Sequence, residues 1–163
     1  MFYIVIQKKC MNQEKLSFIK NDFITKLKSL APDTASKWGK MNAQQMVEHV
    51  SGFFKVSTNQ LQFPLVTPEE QLPKFKAFLL SDKEFRENTK APVLPEEPMP
   101  VVHASLPEAV DELEKQIDLF EEKFSSGEIV SSQHPVFGDL NFEEWVLLHY
   151  KHVTHHAKQF GLM

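Results

Sequence analysis

The chain contains one cysteine, Cys10, so no disulfide can form within it, and a reducing compartment such as the cytoplasm is expected. It has only five glycines, and none belongs to a Gly-x-Gly-x-x-Gly motif or a phosphate loop. The net charge of −4 gives no electrostatic basis for binding nucleic acid. No apolar run approaches the ~18 residues of a membrane span. These absences favour a cytoplasmic protein with neither nucleic acid nor a membrane as partner.

The first eleven residues differ from the rest of the chain. They begin with a short apolar stretch that precedes two lysines, whereas a secretory signal carries its positive charges first. Met11 offers an alternative start of translation. We therefore expect residues 1–11 to form an N-terminal extension, disordered or forming a stray strand, and residues 12–163 to form a single domain.

Four segments place apolar residues at steps of three and four, which is the spacing of amphipathic helices. Asn42 with Gln45, and Ser105 with Glu108, have the spacing of capping boxes at helix starts. The predicted helices extend over Asn12–Leu30, over Asn42–Gln60, from Ser105 to Ser126, and from Asn141 to Gly161.

Four such helices predict an all-α fold, a four-helix bundle. The crossover between the second and third helices, Leu61–Ala104, is about forty-four residues long. A helix of twenty residues is about 30 Å long, so this crossover can return along the whole bundle, and helices two and three are expected to run parallel. Within the crossover, Thr67-Pro68 predicts the start of a short helix that packs through Phe75, Phe78 and Leu79.

Histidines interrupt the apolar stripes of only two helices. His152 and His156 are four residues apart and so share one helix face. His49 occupies the inward stripe of the second helix, whereas the first and third helices carry apolar stripes without interruption. Burying an unpaired polar group costs about 2–7 kcal/mol, so several in one core need a common explanation. One divalent metal ion bound by His49, His152 and His156 provides it.

Three protein ligands leave a coordination position open, which is the pattern of catalytic sites. Imidazole ligands suit zinc and nickel, and we expect one of these two. His149 and Glu48 are the candidate catalytic residues, His149 as proton carrier and Glu48 as general base at the edge of the second helix. His149 is also a candidate fourth ligand or supporting group. Two alternatives stay open: a closed, non-catalytic metal site in a metal-binding or stress-response protein, and a metal-free core of hydrogen-bonded histidines.

Several segments resemble the DinB/YfiT-like superfamily over residues 12–163. They are Trp38-Gly39-Lys40-Met41, His49, His134-Pro135-Val136-Phe137-Gly138 and the run from His152 to Phe160. They are most similar to a branch with a His-Pro-x-Phe-Gly segment. The resemblance implies a four-helix bundle with a long crossover between helices two and three.

The resemblance also implies a chemistry. It implies a divalent metal held by histidines, here His49, His152 and His156, and it implies a homodimer. Relatives include thiol transferases that use a low-molecular-weight thiol. Together with the open site, this predicts a metal-dependent enzyme of the thiol transferase or hydrolase type that acts on a small-molecule substrate. The roles of His134 and His155 stay open.

Overall fold

The computed structural model describes residues 12–163, so the predicted N-terminal extension lies outside the described residues. Within the described residues, helix α1 extends from residue 12 through a π-helical segment, Phe18–Phe23, and ends with Ile24–Lys28. The later elements are α2 (Ala43–Ser57), a 3₁₀ turn (Glu69–Gln71), α3 (Leu72–Leu80), α4 (Leu106–Ser125), β1 (Ser131–His134), β2 (Gly138–Asn141) and α5 (Phe142–Gln159).

The prediction of an all-α four-helix bundle is wrong, because the described residues form five helices and a two-stranded antiparallel sheet. The strands read Ser-Ser-Gln-His and Gly-Asp-Leu-Asn, four residues each without a β-branched or aromatic side chain. Their alternation is too short and too polar to indicate strands from sequence. Gly138, with φ of +74°, pairs with His134 across a three-residue turn that favours glycine at this position.

Capping boxes define the starts of the two helices that carry the inward histidines. The side chain of Asn42 accepts a hydrogen bond from the Gln45 backbone N–H, and the Gln45 side chain accepts one from the Asn42 backbone N–H. Asn141 and Glu144 make the same reciprocal pair at the start of α5. Both caps satisfy backbone N–H groups that a helix leaves free at its N-terminus.

Contacts along α2 and α4 show that these helices run in the same direction. Near the start of α2, Gln44 donates to the carbonyl of His103, just before α4 begins. Near the end of α2, Lys55 pairs with Glu112 at 3.0 Å, further along α4. This agrees with the parallel arrangement expected from the length of the crossover.

Helix α5 runs opposite to α2, and this direction brings their histidines together. His49, in the first half of α2, contacts His152 and His156 in the second half of α5. Ser57, at the end of α2, contacts His149, one turn earlier on α5.

The core lies between the long helices and includes fully buried Phe23, Phe54, Phe120 and Trp145. The short helix predicted inside the crossover is present as α3, and its Leu79 is fully buried against this core. Among the described residues, no helix combines the length and the apolar character that crossing a lipid bilayer requires.

Candidate metal centre

Three imidazole nitrogens from two helices converge at one point. Nε2 of His49 lies 2.9 Å from Nε2 of His152, which lies 3.1 Å from Nε2 of His156. All three atoms lie within 4.8 Å of one another. Around a tetrahedral zinc ion with Zn–N bonds of ~2.0–2.1 Å, ligand nitrogens are about 3.3 Å apart. The three histidines are therefore close enough to hold one metal ion.

Hydrogen bonds alone do not satisfy this cluster. Nδ1 of His156 lies 2.8 Å from Oε1 of Gln159, and an amide oxygen only accepts, so the ring proton of His156 is on Nδ1. Its Nε2 then presents a lone pair to His152. Nε2 of His152 carries at most one hydrogen and cannot make linear hydrogen bonds with both neighbours. A cation satisfies all three lone pairs, so the donor set fits a metal ion better than a metal-free histidine network.

Burial keeps the three imidazoles neutral at pH 7. Desolvation, with a smaller contribution from His155, lowers the pKa of His49 to about 4. Desolvation also lowers the pKa values of His152 and His156 well below the ordinary value of 6.5. Because metal binding requires deprotonated ligand nitrogens, these side chains need lose no proton to bind an ion at neutral pH.

His149 lies outside this group of three. Its ring is fully buried and stacked on Phe54, with 3.7 Å between centroids. Its Nε2 is 3.0 Å from Oγ of Ser57, which donates its own hydrogen to the Phe54 carbonyl. Nε2 of His149 is therefore the donor to Ser57. The catalytic role of His149 stays a prediction, and these contacts do not place it as a fourth ligand.

Glu48 holds the segment 99–103, which we call the strap, against α2. Its carboxylate accepts backbone N–H groups of Val102 at 2.8 Å and His103 at 2.9 Å, and the amide of Gln44 at 3.0 Å. Burial raises the pKa of Glu48, but these hydrogen bonds outweigh burial and lower the pKa below its ordinary value. The structure thus shows that Glu48 binds the strap through hydrogen bonds. Its role as general base stays a prediction.

Replacing Glu48 with alanine is expected to release the strap and to leave metal binding within a few-fold of wild type. Hydrogen bonds to a charged acceptor contribute about 1.5–3 kcal/mol, so the amides of Val102 and His103 should exchange at least tenfold faster in hydrogen–deuterium exchange. Glu48→Gln, which keeps one acceptor oxygen, should give an intermediate rate. A large loss of metal affinity in Glu48→Ala would instead indicate a direct role at the centre.

The sequence left the role of His134 open, and the structure places this residue in the hairpin turn beside Phe53. Nδ1 of His134 accepts the backbone N–H groups of Val136 and Phe137 at 3.0 and 3.2 Å and so closes the hairpin turn. Burial lowers the pKa of His134 to about 3. The Phe53 ring lies 5.4 Å from the His134 ring and 4.2 Å from that of His152. Phe53 therefore packs between the hairpin and a histidine of the cluster.

His155 does not belong to the group of three clustered histidines. It lines a separate cavity of about 130 Å³ with Trp38, Glu84, Phe85, Glu87 and Lys158. Burial lowers its pKa below the ordinary value. As the immediate neighbour of His156 that is not in the cluster, His155 is a matched control for substitutions of the ligands.

Fold and site together define a helical protein with a small hairpin and a three-histidine cluster between two antiparallel helices. The chain belongs to the family described as "Protein of unknown function (DUF1569)", whose model matches residues 11–163. No curated protein and no solved structure matches the chain.

Proposed function

We propose that the protein is a metal-dependent enzyme in which His49, His152 and His156 hold one divalent ion, zinc or nickel. The convergence of three Nε2 atoms from antiparallel helices carries this proposal. Neutral imidazoles suit both metals. Three protein ligands leave one coordination position open for a water or a substrate.

The three residues differ in exposure, and this difference favours one side of the cluster for the approach of a substrate. His156 is buried, whereas His49 and His152 are half-buried. Half-buried Phe53 lies against the His152 ring and supplies an apolar wall. We therefore expect a small molecule to approach past His49 and His152, the less buried residues of the group.

The proposed reaction is transfer of a low-molecular-weight thiol to an electrophilic small molecule, with hydrolysis as the related reaction of water. A bound divalent ion acts as a Lewis acid and lowers the pKa of a water or thiol in the open position. The motif resemblance to the DinB/YfiT-like superfamily supports the choice of a thiol, and it supports a homodimer.

A closed, non-catalytic metal site is the less favoured of the two hypotheses. Such a site needs a fourth protein ligand, for which His149 is the sequence candidate. Its Nε2 is engaged with Ser57, and among the described residues only His49, His152 and His156 form a group of potential ligands. This favours an open site.

Cobalt substitution tests the open position. We expect the Co²⁺-loaded protein to show the visible spectrum of a four-coordinate site, and added 2-mercaptoethanol to produce a sulfur-to-cobalt charge-transfer band. His156→Ala, treated in the same way, should show neither spectrum. Tight Co²⁺ binding without a change on adding thiol, and without an exchangeable water by proton relaxation, would establish a closed site and reject the enzyme proposal.

A further inference from the structure

The side-chain amide of Gln159 has one possible orientation. One end lies 2.8 Å from the backbone carbonyl of Trp38, which can only accept a hydrogen bond. The NH₂ group must therefore face Trp38, and Oε1 must face Nδ1 of His156. This orientation follows from donor and acceptor chemistry alone, and it makes Nδ1 of His156 the protonated nitrogen.

The loop before α2 is shaped to receive this amide. Gly39 has φ of +78°, and a Cβ on it would lie 2.8 Å from Nε2 of Gln159. The backbone carbonyl of Gln159 also accepts the N–H of Lys37 at 2.8 Å. Main chain and side chain of Gln159 thus both bind the loop 37–39, and only glycine permits the close approach.

The other α5 ligand lacks such support. Nδ1 of His152 is buried and has no hydrogen-bond partner among the described residues. Its ring is positioned by packing against Phe53. His156 is therefore the α5 ligand whose ring orientation is fixed by a hydrogen-bond chain.

We propose that Gln159 is a positioning residue of the metal centre: it fixes the tautomer and ring orientation of His156, so that the Nε2 lone pair faces the ion. This inference rests on the proposed metal centre. It gives the Trp38-Gly39 segment a role in metal binding as the anchor of Gln159. Partners of this kind on a metal-binding histidine typically change metal affinity by about 10–100-fold.

Two substitutions separate positioning from simple attachment of the loop. Gln159→Leu removes both hydrogen bonds, and zinc affinity, measured by competition with a chelator, is expected to fall 10–100-fold. Gln159→Glu keeps the acceptor for His156 but loses the donor to Trp38, so its zinc affinity should stay within about threefold of wild type or rise. Both variants lose the side-chain contact with the loop and keep the backbone contact with Lys37. Because a buried carboxylate that faces the Trp38 carbonyl costs more than a leucine, the thermal stability of both variants without metal is measured as a reference.

Spectroscopy and matched controls complete the test. The Nδ1–H signal of His156 in proton NMR of the zinc-loaded protein should persist in Gln159→Glu and broaden or vanish in Gln159→Leu. Gly39→Ala should weaken zinc binding as Gln159→Leu does. Gln116→Leu removes another buried glutamine, one on α4 that is hydrogen-bonded to Gln60 just after α2, and should keep wild-type affinity.

The outcomes are distinct. Equal loss of affinity in Gln159→Leu and Gln159→Glu would show that the residue only attaches the loop, and would overturn the inference. Unchanged affinity in Gln159→Leu would overturn it as well. Wild-type protein that binds no zinc would overturn the proposed metal centre, and this inference with it.

Discussion

Replacing His156 with alanine is expected to abolish stabilisation by zinc, whereas replacing its neighbour His155 is expected to preserve it. Zinc at about 1,000 times its dissociation constant stabilises a folded protein by about 4 kcal/mol. For a chain of this size, each kcal/mol of stabilisation raises the melting temperature by roughly 2–4 °C. The melting temperature should therefore rise by ~8–16 °C. Loss of one of three ligands should remove this rise, because two imidazoles hold zinc weakly.

Differential scanning fluorimetry with and without zinc measures this effect, and elemental analysis counts the bound ions. His155→Ala is the matched control, because His155 lies beside His156 in sequence but lines the separate cavity with Trp38. Equal zinc-dependent stabilisation in His156→Ala and wild type would reject the three-histidine centre.

Acid is expected to unfold the protein through its buried neutral histidines. In the folded state, burial lowers the pKa of His134 to about 3 and that of His149 well below 6.5. In the unfolded state both should titrate near 6.5. The stabilisation from keeping these groups neutral is complete above pH 6.5 and is lost as the pH falls towards the folded values. For His134 the free energy of unfolding falls by about 1.4 kcal/mol per pH unit over this range, and His149 lowers it further in the same direction.

Two pH units below 6.5, the loss from His134 alone is about 3 kcal/mol, a large share of the whole stability of many domains. Urea unfolding between pH 7.5 and 5, in the presence of a chelator, measures the slope. His134→Gln cannot be protonated and should reduce the slope by about 1.4 kcal/mol per unit. Gln133→Ala, on the exposed face of the same strand, should keep the wild-type slope. Identical slopes in wild type and His134→Gln would contradict the conclusion that burial keeps His134 neutral in the folded protein.

The cluster of three histidines was predictable from sequence because a helix repeats its face every three to four residues. The interval between His152 and His156 fixes one side of the cluster, and His49 interrupts a stripe that is otherwise apolar. Their convergence in the structure agrees with that reasoning. The interval of three residues between His156 and Gln159 also indicates that they share one helix face. The other partner of Gln159, the Trp38 carbonyl, belongs to a distant loop and could not be predicted from this interval.

The hairpin and the strap could not be predicted in this way. The hairpin depends on Nδ1 of His134 accepting two backbone N–H groups, a contact that leaves no periodic pattern. The strap is held by Glu48, which the sequence offers as a candidate general base at the edge of the second helix. Hydrogen bonds between side chains and distant backbone groups depend on tertiary packing, so they cannot be predicted from sequence periodicity.

The distance along the chain between the two histidine-bearing helices has a consequence for assembly. His49 and His152 are separated by 103 positions. A bound ion would therefore close a loop that includes the whole crossover, α4 and the hairpin, and would disfavour the unfolded chain much as a long-range cross-link does. During synthesis the second and third ligands emerge last, so ion capture would have to follow docking of α5. Metal content would then report on completed folding of each newly made chain.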